Sequence, residues 1–197
     1  LFRQLKAVSI DISKLFINKV TVANRMYLNA DIDNIDLKWT NKCTLESAQE
    51  IFYRFKGGVI NLNEFNGVHL TELNNTFAGC KAKIKGAFDT RNECKMKNTF
   101  SRYCGTKELD LTWMNVSNVV EMCGVFYSCL CDTVNISNWD VRNVKDASEL
   151  FRKCSSRIIG LNELYFTSVA ITVKMFTDVK WHRKVKLRGM SWANITD

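Results

Sequence analysis

The chain has 197 residues, no proline and nine glycines, and its 28 lysines and arginines exceed its 20 aspartates and glutamates by a net charge of +8. Since 46% of the residues are hydrophobic, this composition excludes collagen-like, proline-rich and largely disordered proteins. No apolar run approaches the roughly 18 residues of a membrane-spanning helix. The positive charge permits an acidic partner without requiring one.

Short strands are predicted at regular intervals along the chain. Each is an apolar-x-apolar triplet, and the triplets begin at Ile10, Ile35, Ile60, Ile84, Leu109, Val134, Ile159 and Val185. The spacings are 25, 25, 24, 25, 25, 25 and 26 residues. A constant period of this length is the signature of a repeat protein.

Two further apolar positions recur in phase with the triplets. About ten residues after the start of each triplet lies a residue that is usually aliphatic: Val20, Leu45, Leu70, Cys94, Val119, Val144, Val169 and Ile195. A large apolar residue comes next: Met26, Phe52, Phe77, Phe100, Phe126, Phe151 and Phe176. Between 119 and 129 the apolar residues are spaced 3, 3, 1 and 3, which is typical of one face of a short helix.

A strand of about four residues cannot bury its face alone, whereas stacked copies can. We therefore predict an α/β fold, a leucine-rich-repeat solenoid forming a single domain over residues 1–197. A parallel β-sheet lies on one face of this predicted solenoid and short helices lie on the other, with about 25 residues per repeat.

The best-defined repeats resemble a known family. Residues 109–129 read Leu-Asp-Leu-Thr-Trp-Met-Asn-Val-Ser-Asn-Val-Val-Glu-Met-Cys-Gly-Val-Phe-Tyr-Ser-Cys, and Asn138–Val144 with Phe151–Cys154 repeat parts of this pattern. The pattern is similar to that of the BspA-type leucine-rich-repeat proteins of bacterial surfaces. The resemblance implies an extended binding or adhesion surface, usually without enzymatic activity, at the cell surface or outside the cell. It names no ligand.

Both ends of the chain fall within a repeat. Phe2 aligns with Phe151, and the sequence stops just after Ile195, where another predicted helix would begin. Solenoids need polar capping repeats for solubility, and neither end has one. We expect residues 1–197 to belong to a longer array, or to have ends that a partner covers.

Four of the eight cysteines follow the repeat. Cys80, Cys104, Cys129 and Cys154 are spaced 24, 25 and 25 residues apart. Adjacent helices pack about 8–10 Å apart, whereas a disulfide needs Cα atoms within about 7 Å. We therefore expect these four to be buried free thiols. Such thiols fit an intracellular or assembled-particle location as well as the surface that the resemblance implies.

No catalytic constellation is visible. The two histidines, His69 and His182, lie more than four repeats apart, so no Ser-His-Asp or Cys-His arrangement can be assembled. The spacing Cys129-x-Cys131 is not that of a zinc site, and no phosphate-binding glycine loop occurs. We expect a protein that is not an enzyme and that has no catalytic, cofactor-binding or metal-binding residues.

The exposed sheet face is the predicted binding surface, because the middle residue of each triplet points away from the core. The partner-binding candidates on it are Asp11, Asp36, Asn61, Lys85, Asp110, Asn135 and Lys186. The basic segment 180–188 adds Arg183, Lys184 and Arg188, which could contact phosphate groups. Val185 and Leu187 alternate with these basic residues, so the segment also fits a solvated strand.

These features predict a non-enzymatic interaction or adhesion module that presents a polar sheet face to a protein or a glycan. One alternative is a structural component of a larger assembly, such as a particle or surface layer, held by neighbouring subunits. Another is a nucleic-acid-binding module that uses residues 180–188, although nucleic acid is the less favoured partner. No transmembrane segment is predicted.

Overall fold

The computed structural model describes residues 1–180 except 13, 16 and 87–93, together with 188 and 189. The chain winds into a parallel β-solenoid of about six turns, with about 25 residues per turn. In this part of the chain no α-helix reaches seven residues, and the short helices are 3-10 helices at Lys38–Lys42, Leu62–Glu64 and Leu161–Glu163. None of these helices is long and apolar enough to cross a membrane.

One side of the turns carries short parallel strands. The first sheet contains, in order, β1 (Lys6–Ser9), β2 (Asp31–Asn34), β3 (Val59–Asn61) and β4 (Lys83–Lys85). A second sheet contains β6 (Glu108–Asp110), β8 (Thr133–Asn135) and β9 (Arg157–Ile159). The inward residues Ile32, Ile60, Leu109 and Val134 are buried. The predicted parallel sheet is therefore confirmed, and it is divided into two groups of strands.

Four of the predicted triplets coincide with strands, those near 60, 84, 109 and 134. The strands β1 and β2 end just before the triplets at 10 and 35, but the pairs Ser9–Asn34 and Asn34–Val59 keep these triplets in register with the one at 60. Val134 pairs with Ile158 rather than Ile159. Gly160, which has a left-handed φ of 86° and precedes a 3-10 helix, follows the last residue of β9. The triplet at 185 lies outside the described residues.

A second parallel ladder runs where the predicted helices should begin. It includes β5 (Cys94–Lys95) and β7 (Val119–Glu121), which pair with each other. Isolated bridges extend it through Val22, Ser47, Glu72 and Lys95 on one side and through Glu121, Asp146 and Ile171 on the other. The start of each predicted helix is therefore extended backbone that bonds to the neighbouring turns.

The rest of each predicted helix is a series of β-turns. The N–H of Met26 donates to the carbonyl of Ala23 at 3.2 Å, which is an i to i+3 bond. The next amide, on Tyr27, donates instead to the carbonyl of Ile51 in the following turn, at 3.0 Å. This alternation recurs along the solenoid. Because half of these amides bond to the adjacent turn, the short-helix prediction is wrong, and the turns stack at the strand spacing of about 4.8 Å.

Two positions in every series of turns, four residues apart, have a positive φ. They are Arg25 and Asn29, Glu50 and Arg54, Asn75 and Gly79, Asn98 and Arg102, Gly124 and Ser128, Glu149 and Lys153, and Lys174 and Asp178. The left-handed conformation costs a residue other than glycine roughly 1–2 kcal/mol. The bonds between turns offset this cost, so charged residues are tolerated at these positions.

One aromatic ring per turn forms a continuous stack through the core. The rings belong to Phe2, Tyr27, Phe52, Phe77, Phe100, Phe126, Phe151 and Phe176. Neighbouring centroids lie 5.4 to 6.0 Å apart, and the ring planes differ by 7 to 20°. The predicted place of Phe2 is confirmed. The prediction of Met26 in this position is wrong, because Tyr27 supplies the ring.

We expect Phe126→Ala to lower the free energy of unfolding by about 3–5 kcal/mol, since the ring is fully buried and its removal leaves a cavity. Urea denaturation followed by circular dichroism measures the loss. Leu130→Ala is the control, because Leu130 is 62% exposed and its truncation should cost less than about 0.5 kcal/mol. A loss below about 1 kcal/mol for Phe126→Ala would contradict the stacked core.

Candidate ligand-binding surface

The structure brings the predicted sheet-face candidates together in two groups. Asn61 pairs with Lys85 in the first sheet, and Asp110 pairs with Asn135 in the second. The two groups belong to different sheets, so the candidates do not form one continuous row of paired strands.

Several of these side chains have a structural role. The carboxylate of Asp36 accepts the backbone N–H of Lys38 at 2.8 Å, so it closes a turn directly after the strand region. Asn61, Asp110 and Asn135 accept the N–H two residues ahead at 3.3, 3.0 and 3.1 Å. Such turns explain the recurrence of Asp and Asn without a ligand. Binding by this column stays a prediction.

The remaining candidates are Asp11, Lys85 and the four basic residues between 183 and 188. Asp11 and Lys85 are exposed. Arg188 is exposed and forms a parallel bridge with Tyr165. The other basic candidates, Arg183, Lys184 and Lys186, lie outside the described residues.

A cleft of about 320 Å³ lies on the outside of the stacked β-turns, on residues that the sequence analysis did not select. Its floor contains the small residues Ala78, Gly79 and Ser101, and Tyr53 and Tyr127 stand at its two ends. The tyrosines are three turns apart, which at the strand spacing is about 14 Å. We call this feature the Tyr–Arg cleft.

The cleft exists because the outward residues become small over two turns. The residue after each stacked ring lies on the outer side of the turns, and this outer column contains Leu28, Tyr53, Ala78, Ser101, Tyr127, Arg152 and Thr177. Leu28, Ala78 and Ser101 are buried, whereas Thr177 is exposed. Gly79 has a φ of 64°, and a Cβ there would lie 3.1 Å from Cγ of Arg54. The missing side chain thus leaves room beside Arg54 and deepens the floor.

Stacking on the tyrosines orients the arginines of the cleft. The guanidinium carbon of Arg54 lies 5.2 Å from the ring centroid of Tyr53. Those of Arg102 and Arg152 each lie 5.8 Å from the ring centroid of Tyr127. A cation–π contact occupies the flat face of a guanidinium and leaves its in-plane N–H groups able to donate. The arginines are therefore positioned as hydrogen-bond donors.

The electrostatics of the cleft favour an anion. Arg152 forms a salt bridge with Glu149 at 2.8 Å. Arg54 and Arg102 have no salt bridge within the part of the chain that the structure describes. Desolvation alone would raise the pKa of Tyr127, but Lys153 and the two arginines stacked on its ring lower that pKa by stabilising the phenolate.

A sequence signal for the cleft exists in the 25-residue period. The pairs that immediately follow Phe52, Phe77, Phe100 and Phe126 are Tyr-Arg, Ala-Gly, Ser-Arg and Tyr-Ser. In the stacked turns, the first residues of these pairs form a column in which two small side chains lie between two tyrosines. The helical interpretation gave these residues no common face, so the sequence analysis missed them.

All eight cysteines are free thiols. Cys80, Cys129 and Cys154 are buried as predicted, whereas Cys104 is exposed, contrary to the prediction. The distance argument against disulfides was also wrong. The N–H of Cys104 donates to the carbonyl of Cys80 at 3.1 Å, so successive cysteines lie on directly bonded turns rather than on separate helices.

The described residues contain no group of three or more His, Cys, Asp or Glu side chains that could hold a metal ion. His69 is exposed, and His182 lies outside the described part of the chain. The Tyr–Arg cleft contains guanidinium, amide, hydroxyl and carboxylate groups.

The comparisons with known proteins identify a family. The model of the family described as "Mycoplasma protein of unknown function, DUF285" matches residues 1–87 and 71–187. The chain belongs to this family. No curated protein and no solved structure matched the chain.

We expect native protein to react with iodoacetamide at Cys104, because that thiol is exposed, and not at Cys80, which is fully buried. Cys80 should react only after unfolding in urea, with mass spectrometry locating the modified residues. Cys104→Ser is the control and should remove the native labelling attributed to this site. Labelling of Cys80 in the native protein at the rate seen in urea would contradict the packed thiol position.

Stability should fall at alkaline pH. Burial raises the pKa of Cys80 from 9.0 to about 12, so the folded state keeps a proton that the unfolded state loses. The contribution of Cys80 is complete below about pH 9 and is lost as the pH rises to about 12, on the order of 4 kcal/mol. Urea denaturation at a series of pH values measures this loss. Cys80→Ala should reduce this alkaline loss of unfolding free energy, whereas Cys104→Ala should leave it unchanged. If unfolding free energy fell equally with pH in the unmodified protein and in both variants, the assigned role of Cys80 would be wrong.

Proposed function

We propose that the chain is a non-enzymatic interaction module that binds a protein or glycan partner through its outer surface, with the Tyr–Arg cleft as the main contact. The observation that carries this proposal is the pair of stacked arginines, Arg54 and Arg102, beside a floor of small residues. The resemblance of residues 109–129 to BspA-type repeats supports it, because that resemblance implies a binding or adhesion surface.

The rigidity of the solenoid also supports a binding role. Each wall of the cleft belongs to a turn that bonds to the next one: Arg54 donates its N–H to the carbonyl of Ala78 at 2.8 Å, and Gly79 donates to Ser101 at 2.7 Å. A surface that is ordered before binding loses less conformational entropy when a ligand arrives. A partner of this cleft therefore meets oriented donors at little further cost.

The test is to fill the cleft without changing the fold. In Ser101→Tyr, a ring enters the floor at a position of the outer column where Tyr53 and Tyr127 are already accommodated. The variant and the unmodified protein are applied to an array of immobilised glycans and to a panel of purified proteins, and the affinities of the ligands found are measured by calorimetry. We expect at least about a tenfold loss of affinity, equivalent to about 1.4 kcal/mol.

The matched control is Thr177→Tyr, which adds the same ring to the outer column at an exposed position two turns beyond Tyr127. It should bind as the unmodified protein does, and thermal unfolding should show that both variants are folded. The proposal fails if no ligand binds, or if every ligand binds Ser101→Tyr as tightly as it binds Thr177→Tyr.

A further inference from the structure

We infer that the ligand of the Tyr–Arg cleft is an acidic oligosaccharide, a hydroxyl-rich sugar chain that carries carboxylate or sulfate groups. This inference rests on the proposed function, because it names the partner of the same cleft. The argument concerns the spacing of the positive groups, the neutral groups between them and the faces of the aromatic rings.

The spacing of the arginines requires more than one negative group. Arg54 and Arg102 occupy the same position two turns apart, which at the strand spacing is about 10 Å. The two guanidinium groups stack on Tyr53 and Tyr127, which are three turns or about 14 Å apart, so we do not expect one small anion to contact both. A chain with acidic groups on successive or alternate units can bond to both.

Neutral polar groups lie between the two cations. Asn75 lies in the turn between the two arginines, Asn98 and Ser101 lie in the turn of Arg102, and Glu149 adds an acceptor to the lining. Amides and hydroxyls both donate and accept hydrogen bonds, whereas Glu149, when ionised, only accepts. Sugar hydroxyls also do both, so an acidic sugar matches this mixture of groups better than an array of anions alone does.

The aromatic rings favour a sugar acid over a nucleic acid. Single-stranded nucleic acids bind largely by stacking their bases on aromatic side chains. In this cleft Arg54 already covers Tyr53, and Arg102 and Arg152 both lie over Tyr127.

Calorimetric titrations with four kinds of probe test the inference. The acidic sugars are a hyaluronan hexasaccharide, which carries carboxylates, and a heparin hexasaccharide, which also carries sulfates. The comparison probes are neutral chitohexaose, polyuridylate and polyglutamate. We expect the unmodified protein to bind at least one acidic sugar more tightly than any comparison probe, with an affinity that decreases from about 0.05 to about 0.3 M NaCl.

The double variant Arg54→Gln and Arg102→Gln should lose at least about tenfold in affinity for that sugar, because hydrogen bonds to charged groups are the stronger ones. The matched control removes two positive charges elsewhere, by Arg142→Gln with Arg157→Gln. Arg142 pairs with Asp140, and Arg157 lies exposed in β9, so neither lines the cleft. A loss in the cleft variant without one in the control supports the inference.

Two results overturn the inference. In the first, chitohexaose, polyuridylate or polyglutamate binds as tightly as the acidic sugars, and Ser101→Tyr blocks that binding. This result leaves the proposed function intact, because the cleft still binds a ligand. The second is acidic sugars that bind both double variants equally, since simple attraction to the net charge would then explain the binding. Failure of the proposed function differs from failure of this inference alone, because in that case Ser101→Tyr weakens the binding of no ligand of any class.

Discussion

The fold depends on hydrogen bonds between successive turns of the backbone. They hold the strands in register and also alternate with local bonds through the β-turns, as Tyr27 to Ile51 shows. A residue gained or lost within a paired segment would shift the donors of that segment relative to their acceptors. The period therefore stays close to 25 residues, and one buried ring per turn stacks on the next at 5.4 to 6.0 Å.

This constraint acts on the backbone and on the inward side chains, and it leaves the outward side chains free to differ. Positions with a positive φ illustrate the point, because the same place is occupied by Asn29, Arg54, Gly79 and Lys153 in different turns. The bonds between turns hold these residues in a left-handed conformation that costs them roughly 1–2 kcal/mol each. The outward side chains can therefore change without changing the fold. A binding surface can form at any place where neighbouring outward side chains have suitable shapes and charges.

The sequence predicted the solenoid, its period, the buried Phe position and most of the buried cysteines, since all of these depend on which residues face inward. It did not predict the β-turns. Inward residues at 119, 122, 125, 126 and 129 have the spacing of a helix face, and a strand followed by successive i to i+3 turns produces the same spacing. Only the left-handed residues distinguish the two, and at Arg102 or Glu149 their identity gives no such signal.

The candidate site was missed for a related reason. The search for function followed the positions that repeat most regularly, and there Asp36 and Asn61 recur because they close turns. A site on a repeat protein instead requires a local departure from the period, since an identical surface on every turn has no particular place for a ligand. In this chain the departure is the change from Tyr53 to Ala78 and Ser101 and back to Tyr127, which opens a hollow two turns high between stacked arginines. The regular positions thus specify the fold, and the irregular outward ones are where function should be sought.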